Sequence, residues 1–504
     1  MTRTILTIIW ACLMVFEATN VAGAGLGVIW GRQQTQKLLP SMVVDLILAN
    51  GVKKVRLLSY NSGVIAPFFN SDIDIVMTIA NNDFFQTNTK NSARDFIQRN
   101  ITSIMDNGTN KGIRFTSICI GNEPFSLQEN MEQNYLPQLF PAFENIIDAV
   151  FEQQIGDKVN ITIPHFTDIL KPNITKPSEG EFHPDYRIPI LRNLALLKKV
   201  GSPFMINLYP LLHLRQYGYP LEFGFFEDRK NFTIKDGEHV YTNVFDAVYD
   251  TVISAIRREG YSLDVIVGQV GWPTAGDEWA SPETAERFYD GFLMKMAMNK
   301  GTPLHPEPLE AYIYSLVDEN SRNISRSTMD RHYGIYNYDG TAKFKIDLTL
   351  KGRKNVIMAN ATGIDYMPRR WCVFNPEMRL DANSERLMRF YERACTKGDC
   401  SKLRYGEACN KLDLMGNYSY AFNQYFQSKN QNESECNFDG YAMIVSKDPS
   451  TKECVFPLQI LSTLFDRQYG EMLLTLGYAG ESFNIKPAMT TFIAAFLCIL
   501  YTIF

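Results

Sequence analysis

Two short stretches of this chain each end an apolar run in a polar residue suited to acid, base or nucleophilic chemistry. The first, FTSICIGNEP at Phe115 to Pro124, leads through Ile118, Cys119 and Ile120 to Gly121, Asn122 and Glu123. The second, VIVGQVGWPTA at Val265 to Ala275, places Gln269 just before a Gly-Trp-Pro turn. Buried strands of an α/β barrel read as continuous apolar runs, and the reactive side chains of such barrels stand at the carboxyl ends of the strands. Cleavage of a glycosidic bond with retention needs two carboxyl groups about 5 Å apart, one to protonate the leaving oxygen and one to attack the anomeric carbon. Glu123 suits the first role, and Asn122 beside it can donate to a sugar hydroxyl. Gln269 occupies the matching strand end. A lone Glu at a strand end is also compatible with a loop salt bridge, the weaker of the two readings; the second strand end of the same design is what singles Glu123 out.

Something must hold these two ends opposite each other. Between residues 25 and 350, apolar strand candidates alternate with longer helical patterns, the arrangement of parallel strands with crossover helices. The strands read as Gly27 to Trp30, Val55 to Ser59, Ile73 to Ala80, Phe115 to Gly121, Val159 to Pro164, Phe204 to Tyr209, Val265 to Val270 and Ala311 to Leu316. Met42 to Asn50, Phe140 to Glu152 and Val244 to Arg258 have the apolar spacing of helices packed on a sheet. Eight such units predict a (β/α)8 TIM barrel with enlarged loops. Glu123 then ends the fourth strand and Gln269 the seventh, across the barrel mouth from each other.

Composition narrows the class. The 504 residues are 45% hydrophobic and 21% charged, enough for one large domain plus a smaller one, and the net charge of −5 argues against nucleic acid as a partner. Arg3, the apolar segment Ile5 to Phe16 and the small residues Ala22-Gly23-Ala24 read as a secretory signal peptide over 1–24, with a membrane anchor as the alternative. At the other end, small residues at Gly477, Ala479, Gly480 and Ser482, a more polar spacer and the apolar tail Ala488 to Phe504 follow the order of a signal for glycolipid (GPI) attachment. A carboxyl-terminal membrane span is the alternative there. Asn-x-Ser/Thr sequons at Asn100, Asn107, Asn160, Asn173, Asn231, Asn323, Asn360, Asn417 and Asn432 fit a secreted, glycosylated surface.

Residues 351–370 read as a linker, and 371–456 as a second, cysteine-rich domain, followed by a stalk over 457–479 and a removable tail over 480–504. Cys372, Cys395, Cys400, Cys409, Cys436 and Cys454 form an even set that reads as three disulfides stapling a small core. Spacing alone leaves 15 connectivities open. A zinc site fits poorly with the compartment and the shortage of His. Trp371, Tyr418, Tyr420, Phe422, Tyr425 and Phe426 are candidates for stacking on sugar rings, though for each one a place in the core is the stronger expectation.

Taken in order, GVIWGR, KVRLLSYN, IGNEP, INLYP, VGWPT and YIYSLVDEN resemble the landmarks of the plant glucan endo-1,3-β-glucosidases, glycoside hydrolase family 17, over nearly the whole first domain. WCV at Trp371, SYAFNQYFQ at Ser419 and CNFDGYA at Cys436 resemble the glucan-binding module of carbohydrate-binding family 43. The resemblance implies Glu123 as acid/base, the Gln269 position as nucleophile, and Asn122, Asn207, Tyr209, Trp272, Glu319, Arg322 and Asp330 as substrate-binding residues. It further implies pairing of Cys372 with Cys436, Cys395 with Cys400 and Cys409 with Cys454, β-1,3-glucan (callose) as ligand, no metal or cofactor, and a monomer. With the signal peptide and tail, it implies placement on the outer face of the plasma membrane, at the cell wall or plasmodesmata.

The chain departs from that family at the decisive place. The family usually has Glu where this chain has Gln269, and a neutral amide neither forms the ordinary glycosyl ester nor stabilises an oxocarbenium ion as a carboxylate does. Leu58 and Ser59 stand where an aromatic residue and Asp are common, and Arg322 and Asp330 where Lys and Glu are. Three readings follow: an enzyme with residual hydrolysis aided by Asp277 or Glu278, a glucan-binding protein on a hydrolase scaffold, and a wall protein whose barrel holds no glucan.

Overall fold

The computed structural model describes residues 25–461, apart from 107, 109–110, 127–134, 228–231, 324–326, 380–383, 405–406 and 453. The expected signal peptide, the sequons at Asn107 and Asn231, residues 462–479 of the expected stalk and the tail over 480–504 lie outside the described residues.

Strands β1 (Gly25–Trp30), β2 (Lys54–Leu57), β3 (Asp74–Ile79), β4 (Arg114–Ile120), β5 (Asn160–Thr162), β6 (Pro164–Phe166), β7 (Phe204–Leu208), β10 (Val265–Val270) and β11 (Glu310–Ile313) form one parallel sheet in the order β5-β4-β3-β2-β1-β11-β10-β7-β6. Its two edges, β5 and β6, are halves of one chain pass separated only by Ile163, so nine strands make eight passes and the sheet closes on itself. The break follows from Pro164, which has no N–H to give a ladder. Below it the chain pairs with β4, above it with β7. The remaining strands are almost continuously buried, as strands covered on both faces must be.

Helices cover the outside of the barrel. Pro40–Ala49, Leu136–Glu152 and Val244–Arg258 correspond to the three helical patterns in the sequence, and each turns its apolar residues onto the sheet. Pro282–Ala297 begins with a reciprocal capping box between Ser281 and Thr284, which satisfies N–H groups that a helix start leaves unpaired. A hairpin, β8 (Ile234–Asp236) with β9 (His239–Tyr241), was not expected, although Asp236-Gly237 at its turn is a local hairpin signal.

The second domain pairs β12 (Trp371–Phe374) antiparallel to β13 (Ala442–Val445) and packs Glu385–Lys397 and Leu414–Ser428 around Phe422, Phe426 and Phe438. Its disulfides join Cys372 to Cys436, Cys395 to Cys400 and Cys409 to Cys454. Trp371, Tyr418, Tyr420, Phe422, Tyr425 and Phe426 are all buried, so the candidates for sugar stacking form core instead. Nor is 351–370 a free linker. Met358 is buried against the barrel, Asn50 exchanges hydrogen bonds with Ala359, and Tyr336 donates to the Ala359 carbonyl. The first residues of the expected stalk are also packed: Gln459 and Ile460 are fully buried, Ile460 within the barrel's apolar core.

Candidate active site

The end of β4 is bent sharply inward. Gly121 has φ +77, and a Cβ there would lie 2.3 Å from Asn81 Oδ1 and 2.8 Å from the Phe84 ring, so glycine is required on both counts. Asn81 then clamps the next residue, accepting from the Asn122 N–H at 2.9 Å and donating to its carbonyl at 3.0 Å. Glu123 follows with φ 51, a left-handed conformation that costs a non-glycine residue about 1 kcal/mol. Its N–H is held by the Pro164 carbonyl at 2.8 Å, above the break in the fifth pass. Such a conformation persists only where its surroundings over-determine it, and these do.

The other wall is shaped by a bulge. Register between β10 and β7 shifts between Val267 and Gln269, with Gln269 opposite Asn207. Gly268 allows this because a Cβ would lie 2.6 Å from Met205 and 2.7 Å from Asn207. Asn207 and Tyr209, two residues apart, face the same side as Gln269. From β2 comes Arg56, wholly buried, whose guanidinium donates to Gly268 O at 2.9 Å, Asn122 Oδ1 at 2.7 Å and Asn207 Oδ1 at 3.4 Å.

These residues form one hydrogen-bonded array. Asn207 Nδ2 donates to Glu123 Oε1 at 2.6 Å and to Asn122 Oδ1 at 3.2 Å. Gln269 Nε2 donates to the same Asn122 oxygen at 3.1 Å, while Gln269 Oε1 accepts from the Tyr209 hydroxyl. The orientation of Asn122 is dictated by Arg56, which has only donors to offer and so requires the amide oxygen. Burial first, then the negative charge of Glu123, pushes the Tyr209 phenol well above its ordinary range, so it remains a donor. Its ring meets Tyr314 and Tyr333 edge-on at 5.8 and 5.3 Å.

Glu319 stands beyond this array. It is almost fully buried, accepts from Gln33 N–H at 3.0 Å and from the Tyr314 hydroxyl at 3.0 Å, and pairs with Arg322 at 3.1 Å. Burial is the main reason its carboxyl is pushed up to about 7, with the Gln33 N–H opposing and the Asp318 charge adding to the rise. Arg322 also lies over the Tyr314 ring at 5.4 Å. Asp330 is half-buried on the turn Thr328–Arg331, and its charge is felt by both Tyr209 and Tyr333. A cavity of about 440 Å³ opens beside Glu319, walled by Trp30, Arg32, Lys37, Leu58 and Ser59. A larger groove of about 920 Å³ lies along Pro282–Ala297 on the barrel flank and includes none of these site residues.

The structure thus gathers Glu123, Gln269, Asn122, Asn207 and Tyr209 into one cluster and sets Glu319, Arg322 and Asp330 around its aromatic rim. Trp272 does not join them. It is fully buried between Phe225 and Phe288, its indole N–H given to the Trp279 carbonyl at 3.1 Å, so it braces the loop after β10. Asp277 and Glu278 are both paired with Arg215, at 2.6 and 2.8 Å, which itself lies over the Trp279 ring. Neither supplies a second carboxylate to the cluster. The residue that sequence reading overlooked is Arg56; a lone charged residue inside the apolar run KVRLL was its signal. Among the described residues no three His, Cys, Asp or Glu side chains are grouped to hold a metal ion.

Comparison with known proteins agrees with the fold and the two-domain division. Residues 26–348 match the model of Glycosyl hydrolases family 17, and residues 370–443 match that of the X8 domain. Glucan endo-1,3-beta-glucosidase 8 of Arabidopsis thaliana is 36% identical over 91% of this chain and 94% of its own length, and glucan endo-1,3-beta-glucosidase 5 of the same plant is 32% identical over 91% and 93%. Among solved structures, CJP38, a beta-1,3-glucanase and allergen of Cryptomeria japonica pollen, superposes on 65% of this chain and 99% of its own, with a TM-score of 0.60 and 26% identity. The chain belongs to Glycosyl hydrolases family 17, as a glucan endo-1,3-β-glucosidase family member that carries a C-terminal X8 domain.

Proposed function

We propose that this protein is a β-1,3-glucan-binding member of its family in which hydrolysis by the usual double displacement is lost or strongly reduced. The observation that carries this reading is the seat of Gln269. Its oxygen accepts from Tyr209 and its nitrogen donates to an Asn122 oxygen that Arg56 already holds in place. An ionised carboxylate at this position would set two acceptors about 3 Å apart, whereas an amide satisfies both neighbours. The surroundings suit glutamine.

Glu123 keeps the acid/base place and Asn207 keeps its donor on it, so sugar-directed hydrogen bonding survives the change. Without a nucleophile no glycosyl ester forms, and the oxocarbenium charge loses its opposing carboxylate. The chain is secreted in this reading, held at the outer face of the plasma membrane by a glycolipid exchanged for the apolar tail, and its ligand is wall glucan such as callose. Secretory and attachment signals in the sequence support that placement.

The test is reducing-end release from a linear β-1,3-glucan by purified, deglycosylated residues 25–479, run beside Gln269→Glu. Wild type is expected to bind without cleaving, and the variant to cleave at least about a hundredfold faster. Cleavage by wild type at an ordinary family rate would overturn the proposal.

A further inference from the structure

The X8 domain does not hang free of the barrel. Its residues Asp399, Ser401 and Glu407 meet the two loops that follow β10 and β11, the strands leading to Gln269 and Glu319. Arg331 Nη1 meets Asp399 Oδ1 at 3.0 Å, with both side chains less than a tenth exposed. The same guanidinium donates through Nε to the carbonyl of Arg322 at 2.8 Å, and Arg322 in turn holds Glu319. Ser401 Oγ donates to Asp399 Oδ1 at 2.6 Å and lies 2.8 Å from His332 Nε2. On the other loop, Glu407 Oε1 accepts from the Gly276 N–H at 2.6 Å, and Thr328 donates to the carbonyl of the same glycine. Tyr338 and Met367 of the first 370 residues donate to the Leu458 and Gln459 carbonyls.

We propose that the X8 domain is a positioning element of the barrel cleft: Asp399 and Glu407 clamp the loops after β11 and β10, so that the Arg322–Glu319 pair, and with it the grip on a glucan chain, depends on the docked domain. The physical ground is the dryness of the contact. A buried pair is bound steeply to its geometry, because separating it leaves each charge uncompensated unless the whole surface opens to water. A domain joined only by a tether would keep such charges solvated. Here one guanidinium connects the X8 carboxylate to the backbone of a cleft residue, so a shift at Asp399 is transmitted to Arg322 within a single side chain.

The part concerning glucan grip rests on the reading of the cleft as a glucan site; the docking itself does not. The test uses the full secreted chain, as wild type, Asp399→Asn, which removes the charge facing Arg331, and Glu407→Ala, which removes the acceptor of the Gly276 N–H, each checked for native circular dichroism. Two quantities are read: hydrogen exchange in peptides spanning Gly276 and Arg331, and affinity for a linear β-1,3-glucan hexasaccharide. The expected result is at least tenfold faster exchange in the loop whose partner is removed, with at least fivefold weaker binding. Should Asp399→Asn not fold, Glu407→Ala carries the test through the Gly276 loop. Unchanged exchange in both loops of folded variants would overturn the docking role. Faster exchange with unaltered affinity would overturn its coupling to the cleft. If wild type does not bind the hexasaccharide, the glucan reading fails, and the exchange result alone decides whether the X8 domain braces the loops.

Discussion

Asn207 gives one N–H to Glu123 Oε1 at 2.6 Å, and that contact joins the fourth and sixth chain passes across the barrel mouth. Because Asn207 also accepts from Arg56 and donates to Asn122, it fixes the Glu123 carboxyl relative to the Gln269 side of the cleft. Replacing Asn207 by Ala leaves a buried carboxylate without this donor and Arg56 with one fewer acceptor. A loss of about 2–3 kcal/mol in denaturant stability is expected. In a Gln269→Glu background, kcat should fall at least tenfold while substrate affinity changes less. Stability within 0.5 kcal/mol of the parent (~ the effect of an ordinary surface change) would show that Asn207 is incidental.

Trp272 separates the motif from its expected role. With no exposed surface and aromatic neighbours at 5.1 and 5.4 Å, it contributes to packing. Trp272→Ala should cost about 3–5 kcal/mol in chemical denaturation, as removal of a buried aromatic does. Trp272→Phe should fold and bind glucan within twofold of wild type. A tenfold loss of affinity in folded Trp272→Phe would return this residue to the sugar face.

Two buried histidines make the barrel sensitive to acid. His165 is stacked between Phe125 and Phe204, and burial lowers it from its ordinary 6.5 to about 3; burial lowers His213 to about 4. In the unfolded chain both take up protons near 6.5, so below that pH the unfolded state binds more protons and stability falls as pH falls. By pH 5 the loss is about 2 kcal/mol for each group relative to pH 8. His165→Gln should flatten the dependence between pH 7 and 5 by roughly that amount. Guanidinium midpoints across this range measure it, and an unchanged slope would contradict the assignment.

The three disulfides should be unequal. Cys372–Cys436 closes a separation of 64 residues and Cys395–Cys400 one of 5. On the chain-entropy account, removing the former costs about 2 kcal/mol more than removing the latter. Paired Cys→Ala variants compared by differential scanning calorimetry should show the X8 domain destabilised more by loss of Cys372–Cys436. Equal losses would mean that local packing outweighs loop closure.

Much was legible from residue order alone. The eight apolar runs, Glu123 and Gln269 at matching strand ends and the six-cysteine domain are local features, because burial on both faces demands unbroken apolar strands and a small core demands staples. Each apolar run with its terminal residue can be read within about ten residues, and the cysteine set by counting along one stretch, without knowing what lies opposite. The identity of Gln269 as an amide is equally a fact of sequence, and its chemical consequence follows from the functional group.

Only the folded chain decided which groups meet. Arg56 reaches partners 66, 151 and 212 positions away, and these contacts orient Asn122 and therefore the amide of Gln269. Pro164 split a pass that reads as one strand, since its missing N–H matters only where a ladder has to change partners. Trp272 was withdrawn into the core, Asp277 and Glu278 were taken by Arg215, and the X8 domain was seated on the barrel through Asp399 and Glu407. Hydrogen bonds and ion pairs reward proximity in space, which sequence spacing does not encode beyond a few residues; closure of the barrel and docking of the X8 domain brought these distant groups within hydrogen-bonding reach.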